Sequence, residues 1–226
     1  EAFVNQVVET DDGGQKLFST NWVMGMADRP IGGGHLLLRS MLSLEPATVG
    51  ESGYPELFQT GEGLINHQHA HDFFMELAAE FAVEVAPNTV GYVYAAPVGS
   101  PALGPVAFPH RASALEIPQA PLGHHMLDST HIASSVLTIG ARHDRFTFEF
   151  SGFDGEEPDN GNRWDINHGS IDSWSATVSN PQRRPQHRDS DLRSVYVVHG
   201  ASEGEVADRY RRGACGPWRH RLLLLH

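Results

Sequence analysis

The sequence predicts a mainly β protein, an antiparallel meander, barrel or partial barrel, with one short helix near residues 72–85 and a proline-rich loop. Three observations predict this class. Several segments alternate apolar and polar residues with a period of two, which is the period of a half-buried strand. Glycine-rich or charged turn signals separate neighbouring segments. The alternation of strand and helix that predicts a parallel sheet is not found.

Two pairs of alternating segments predict β-hairpins. KLFSTNWVMGMA and HLLLRSMLSLEP flank the turn signal ADRPIGGG, and each places its apolar residues at every second position. The second hairpin lies in SSVLTIGARHDRFTFEFSGF, where Phe146, Phe148 and Phe150 alternate with Thr147 and Glu149. The segments VGYVYAAPV and GSIDSWSATV are further candidates, so the pattern predicts about six strands.

Residues 72–85 predict the one helix. Phe74, Leu77 and Phe81 recur at helical spacing, and Asp72 is placed to cap the N terminus. Residues 99–123 hold five prolines, which predict an irregular, extended loop acting as a lid or a plug.

Composition excludes several classes of protein. The chain has 226 residues and a formal net charge of −12, which argues against nucleic acid as a partner and favours a small cationic or metal ligand. Cys215 is the one cysteine, so a disulfide within the chain is impossible. No apolar run reaches the roughly 18 residues of a membrane-spanning helix. The N-terminal EAFVNQ has no signal-peptide pattern.

The balance of charge changes near residue 181. Residues 1–181 hold seven Lys and Arg against twenty-three Asp and Glu, whereas residues 182–226 hold nine Arg against five acids. We therefore divide the chain into a β-rich domain, 1–181, and a basic tail of uncertain structure, 182–226, in which RSVYVV is a candidate strand. The tail is either a basic interaction segment or a segment foreign to the ancestral fold.

Histidine is concentrated in two blocks, HQHAHD at residues 67–72 and HHMLDSTH at residues 124–131. In a strand, the first block would direct three imidazoles to one face, and in a helix the second would align His124, Asp128 and His131. Imidazole and carboxylate are ligands for Zn²⁺ and other divalent metals. The predicted metal ligands are His67, His69, His71, His110, His124, His125, Asp128 and His131, with Asp72 as a ligand or as a residue that orients one.

Each block also has a simpler interpretation. The first block is a polar approach to a helix that Asp72 merely caps, and the second is a loop whose histidines form local hydrogen bonds. The acidic run DGEEPDNGNRWD at residues 154–165 suggests Ca²⁺, but its spacing does not match an EF-hand, so calcium ranks below zinc. No G-x-S-x-G motif and no phosphate loop is present, which disfavours a serine hydrolase and a nucleotide enzyme.

Several long sequence segments of the chain resemble a family of bacterial outer-membrane β-barrel-like proteins that has no assigned activity. The resemblance covers about residues 15–180 and is carried by FSTNWVMGMADRP, RSMLSLEPATVG, GYPELFQTGE, HQHAHDFFMELA, YAAPVGSPALGPVAFPHRASA, GHHMLDSTHIA and NRWDIN followed by IDSWSA. It implies an outer-membrane or cell-envelope location, with lipid as a possible partner. Members of the family carry proline where this chain has Ala70, and they continue with more strands after the equivalent of Pro181.

Three functions fit these observations. The first is an outer-envelope β-barrel-like protein in which the His and Asp cluster binds a divalent metal. The second is a metal-dependent hydrolase, in which metal-bound hydroxide attacks an ester or lactone and Asp72 or Asp128 is the catalytic general base. The third is a protein that sequesters metal without catalysis.

Overall fold

The structure is a computed structural model that describes residues 2–8, 14–55, 65–66, 70–103, 132–155, 162–182, 191–200 and 223–224. Strands dominate these residues, which confirms the mainly β fold class. The strands are β1 Ala2–Val8, β2 Gln15–Asn21, β3 Val23–Ile31, β4 Gly34–Leu42, β5 Tyr54–Pro55, β6 Ile65–Asn66, β7 Phe74–Ala86, β8 Thr89–Gly99, β9 Ala133–His143, β10 Phe146–Asp154, β11 Ser173–Gln182, β12 Asp191–Gly200 and β13 Leu223–Leu224, and the helix α1 is Glu45–Thr48.

Nine of the described strands form one antiparallel sheet. Its order is β3-β4-β7-β8-β9-β10-β11-β12-β13, so each strand lies beside its neighbour along the chain except where β5 and β6 intervene. This order is the predicted meander. Among the described strands, β3 and β13 are the two edges and do not pair with each other, so the sheet is open and not a closed barrel. The hairpin β1-β2 and the pair β5-β6 form two small separate sheets.

The predicted hairpins are confirmed as β3-β4 and β9-β10. Ile31 pairs with Gly34 across a two-residue turn, and the turn residues Gly32 and Gly33 have φ values of 59° and 84°. Such positive φ values match the twist of a hairpin and favour glycine. The strand predicted in RSVYVV lies within β12, which pairs with β11.

The helix predicted near residues 72–85 is wrong, because the chain forms strand β7 from Phe74 to Ala86. Its apolar residues fit either period. Leu77 and Phe81 are four residues apart, which is helical spacing. In a strand, the same two residues lie on one face together with Ala79 and Val83. Pairing with β4 on one side and β8 on the other outweighs the helical propensity of the segment. Asp72 precedes a strand and caps no helix.

The one helix of the described residues is the four-residue α1, just after β4. Pro46 in its first turn suits a helix start, because a missing N–H costs nothing there. Within the described part of the chain, the structure has no helix of the length and apolar character needed to cross a membrane.

The strand directions give the large sheet two different ends. At the end that we call the hairpin end, neighbouring strands are joined by two-residue turns at residues 32–33, 87–88 and 144–145. At the opposite end, which we call the connection end, the joining segments are residues 43–73, 100–132 and 155–172. The three long connections between β4 and β11 therefore begin and end at the same end of the sheet.

The two faces of the sheet differ in polarity. Leu36, Phe81, Val93, Ile139 and Phe150 pair in one continuous row that crosses five strands. We call their side of the sheet the apolar face, and its large residues are between 38% and 55% exposed: Leu38, Phe81, Val93, Leu137, Ile139, Phe148, Phe150 and Val178. The polar face is opposite, and its residues include Arg39, Glu76, Glu80, Tyr92, Tyr94, Thr138, Arg142, Glu149, Ser151, Ser175 and Thr177.

A proline substitution tests whether residues 74–86 are a central strand. In Ala82→Pro, we expect the free energy of unfolding to fall by roughly 2 kcal/mol or more, because proline removes a ladder hydrogen bond and clashes with its neighbours. The matched control is Met26→Pro in the edge strand β3. Met26 is four positions from the native Pro30, so its N–H also points away from β4 and makes no ladder hydrogen bond. Equal losses in denaturant unfolding would contradict the observed strand order.

Candidate functional site

A buried carboxylate lies at the connection end, where α1 begins. Glu45 is 0% exposed. Its Oε1 accepts a hydrogen bond from the backbone N of Asn21 at 2.9 Å, and its Oε2 accepts one from the backbone N of His71 at 2.7 Å. Oε2 also lies 3.0 Å from Nδ1 of the His71 ring. One side chain therefore joins the β1-β2 hairpin, α1 and the end of the first histidine block.

The segment 70–73 is held by two further contacts. Arg163 is buried and donates a hydrogen bond to the carbonyl oxygen of Ala70, while its own carbonyl oxygen accepts from the backbone N of Phe73 at 2.8 Å. The ring of Phe73 lies 5.6 Å from that of Trp164. The connection 155–172 therefore packs on the segment that follows the first histidine block.

Asp72 is half-buried in this cluster. Burial raises the pKa of its carboxyl above the ordinary value of 3.8, and the charges of Arg163 and His71 oppose that rise. A carboxyl whose pKa is raised is a better proton acceptor at neutral pH than an ordinary surface aspartate. This environment suits the base that the sequence predicts at this position.

Of the predicted ligands, the structure describes His71, together with Asp72. The other seven lie outside the described residues: His67, His69, His110, His124, His125, Asp128 and His131. Within the described part of the chain, no group of three His, Cys, Asp or Glu side chains is close enough to hold a metal ion. The metal site therefore stays a prediction. For the acidic run at 154–165, Asp154 is buried at the end of β10 and Asp165 is exposed.

The connections that contain the two histidine blocks begin and end at strand ends on the same side of the sheet. Residues 67–72 belong to the connection between β4 and β7, and residues 124–131 belong to the connection between β8 and β9. Because β7 and β8 are neighbours, the first connection ends beside the strand from which the second one starts. At the opposite end, the described hairpins β3-β4, β7-β8 and β9-β10 have two-residue turns, and residues 183–190 join β11 to β12. Apart from residues 70–72, the blocks themselves lie outside the described residues.

The polar face carries a second cluster, centred on Tyr92. Its hydroxyl donates to Oε1 of Glu149, whose Oε2 accepts from Oγ1 of Thr177 at 3.1 Å. The guanidinium of Arg142 lies 4.2 Å from the centroid of the Tyr92 ring, with Nη2 3.2 Å from Oε1 of Glu80. The five neighbouring strands β7 to β11 are thus joined through side chains as well as through backbone hydrogen bonds.

The same arrangement is repeated around Tyr94. Its hydroxyl donates to Oε1 of Glu76 at 2.9 Å, and the guanidinium of Arg39 lies 5.0 Å from its ring centroid and 3.4 Å from that carboxylate oxygen. In each cluster a tyrosine lies between a glutamate and an arginine. Hydrogen-bonded ion pairs of this kind are the form in which buried charge is tolerated.

The start of the proline-rich loop lies across the polar face. The backbone N of Ala102 donates to Oγ of Ser151 at 2.8 Å, and the carbonyl oxygen of Ala102 accepts from Oγ of Ser175 at 2.8 Å. Leu103 packs against the core cluster that contains Tyr94 and Phe153. Residues 100–103 thus lie against the polar face, while residues 104–131, with most of the predicted lid or plug, lie outside the described residues.

Sequence reasoning missed Glu45, Arg163 and the two tyrosine clusters. A signal for the clusters is present, because Tyr92 and Tyr94 are two positions apart in β8 and Glu149 alternates with phenylalanines in β10. In these strands the polar face is the buried one and the apolar face is exposed, which is the reverse of a sheet that packs on an apolar core. For Glu45 and Arg163 no local pattern exists, since their partners are 26 and 93 residues distant along the chain.

Comparison with models of protein families, with characterised proteins and with solved structures finds no match to this chain.

The raised pKa of Asp72 predicts a pH effect on stability. Folding favours the protonated carboxyl, so its stabilising contribution is complete below the unfolded pKa near 3.8 and is lost as pH rises through the folded pKa. In Asp72→Asn this loss is removed, so the variant should gain stability relative to the wild type as pH rises from 3 to 7. Urea unfolding with a metal chelator present measures the difference. A difference that does not vary with pH would contradict the prediction.

Proposed function

We propose that this chain is an outer-envelope β-barrel-like protein that contacts lipid through the apolar face and carries a divalent-metal site at the connection end. The observation that carries the proposal is the reversed polarity of the large sheet. The large side chains of the apolar face are between 38% and 55% exposed, while Tyr92 and Tyr94 on the other face donate hydrogen bonds to Glu149 and Glu76.

Water is an unfavourable solvent for such a sheet. Each large aliphatic or aromatic side chain gains about 1.5–3 kcal/mol when it is moved from water into an apolar environment. Exposed residues of this kind form a continuous row from β4 to β10 and not scattered single positions. Continuous apolar patches mark surfaces that contact a membrane or another protein.

The shape of the connections favours lipid. Outer-membrane β proteins have an apolar surface facing lipid, a polar interior, short turns at one end and long loops at the other. The large sheet has an apolar face, a polar face, two-residue turns in three of its hairpins and longer connections at the other end, which supports this proposal. The resemblance over about residues 15–180 gives the same expectation and is independent of this geometry.

The metal site is the second part of the proposal. It comprises the two histidine blocks, with Asp72 as a ligand or orienting residue, and the first connection ends at β7, beside β8, where the second connection starts. Nitrogen ligands favour Zn²⁺ over Ca²⁺, which prefers a shell of oxygen atoms. The net charge of −12 favours a cation over an anion as ligand.

Asp72 also supports the second candidate function, a metal-dependent ester or lactone hydrolase. Because burial raises the pKa of Asp72, its carboxylate would accept a proton readily from a metal-bound water. The metal would lower the pKa of that water and so supply hydroxide at neutral pH. A protein that only sequesters metal would use the same ligands without turnover.

A charge placed on the apolar face tests the contact with lipid. In Ile139→Arg, we expect the free energy of folding into lipid vesicles to become less favourable by roughly 2–4 kcal/mol, because the guanidinium would enter hydrocarbon. The control is Val4→Arg in β1, which is 80% exposed and lies outside the large sheet. A wild-type chain that stays monomeric in buffer and does not bind vesicles would overturn the lipid part of the proposal.

Zinc titration after dialysis against a chelator tests the metal part. We expect about one equivalent to bind, as in a site of three or four protein ligands. His69→Ala should weaken that binding, whereas His35→Ala should not, since His35 is exposed beside the hairpin end. Absence of binding would contradict the metal site. If metal binds but His69→Ala and Asp72→Asn leave ester or lactone turnover unchanged, the hydrolase candidate is wrong.

A further inference from the structure

Two exposed arginines near the hairpin end, Arg29 and Arg145, form no ion pair with any residue that the structure describes. The other arginines with described side chains have partners, a glutamate each for Arg39 and Arg142 and a backbone carbonyl for Arg163. An exposed guanidinium without a carboxylate is available to an anion outside the protein. We propose that Arg29 and Arg145 bind the anionic headgroups of a phospholipid bilayer at the hairpin-end border of the apolar face. The inference rests on the lipid contact proposed above and adds the class of lipid and the end of the sheet that meets it.

Arg29 lies on the apolar face of the edge strand β3. It pairs directly with Leu36 of β4, which belongs to the apolar row, and paired residues project from the same face of a sheet. Ile31 follows on the same face just before the turn and is 51% exposed. A long side chain at such a border can lay its methylene groups along apolar neighbours and extend its charge toward a polar layer.

Arg145 is in the turn between β9 and β10, beside the same face. Its guanidinium lies 5.5 Å from the centroid of the ring of Phe146, which is on the apolar face with Phe150. The acidic residue of this turn, Asp144, lies 3.6 Å from Nε2 of His143. A guanidinium over an aromatic ring still has its N–H groups at the edge, where they can donate to a phosphate oxygen.

The described carboxylates of the large sheet lie mainly away from this border. On the polar face are Asp28, Glu76, Glu80, Glu84 and Glu149. The three segments that join strands at the connection end hold twelve Asp and Glu against two Arg in the sequence, and the described Glu51 and Asp165 are exposed. An anionic surface therefore attracts the hairpin end and repels the connection end.

The separation of the two arginines favours a lipid surface over one soluble anion. Arg29 is in β3 and Arg145 directly precedes β10, with β4, β7, β8 and β9 between them in the sheet. At about 4.8 Å for each strand, the two backbone positions are roughly 20 Å apart along the sheet. A phosphate ion could not contact both side chains, whereas a layer of headgroups beside a continuous apolar surface contacts both.

Binding of the full chain to vesicles in buffer of low ionic strength tests the inference. We expect the wild type to bind vesicles of phosphatidylglycerol more tightly than vesicles of phosphatidylcholine. The double variant Arg29→Gln/Arg145→Gln should weaken binding to phosphatidylglycerol by roughly fivefold for each arginine removed, with little change for phosphatidylcholine. Added sodium chloride should reduce the preference of the wild type, because it screens the charges.

The matched control is Arg142→Gln, which removes a guanidinium near the same end but on the polar face, where Glu80 already neutralises it. Binding of this variant to phosphatidylglycerol should match that of the wild type. Unchanged binding of the double variant, an equal loss in the control, or equal binding of the wild type to both lipids would overturn the inference and leave the lipid contact standing. A wild type that binds neither kind of vesicle would overturn both proposals together.

Discussion

The antiparallel register of the large sheet is the constraint on which the other features depend. A strand has a side-chain period of two, so a slip of one residue would exchange its two faces. Two-residue turns prevent such a slip, and the positive φ values of Gly32, Gly33 and Asp144 show how tightly the chain reverses there. Because the register is fixed at the hairpin end, each strand delivers its polar residues to one face and its apolar residues to the other.

A buried polar face is stable only if its groups find partners. On this face, the hydroxyls of Tyr92 and Tyr94 donate to glutamates of other strands, and an arginine guanidinium lies over each tyrosine ring. Residues 100–103 add backbone groups to the network through Ser151 and Ser175. The cost of burying these charges is offset within the protein, which leaves the apolar face to determine what the sheet contacts outside.

The connection end combines features that are far apart along the chain. Strand direction alone places the connections 43–73, 100–132 and 155–172 there, and Glu45 and Arg163 then hold segment 70–73 against them. A binding site built on irregular segments above a rigid sheet is a common arrangement in proteins. At the hairpin end, three of the connections between described strands are two-residue turns.

By itself, the sequence determined the strand class, the two hairpins and the strand in RSVYVV, because alternation and turn residues are local signals. The tertiary structure decided residues 74–86, whose apolar residues fit a helix or a strand until β4 and β8 pair with them. It also decided the partners of Glu45 and Arg163, since hydrogen bonds between distant segments leave no periodic trace. The histidine blocks are therefore visible in the sequence, whereas only the fold brings the carboxylate of Glu45 to His71.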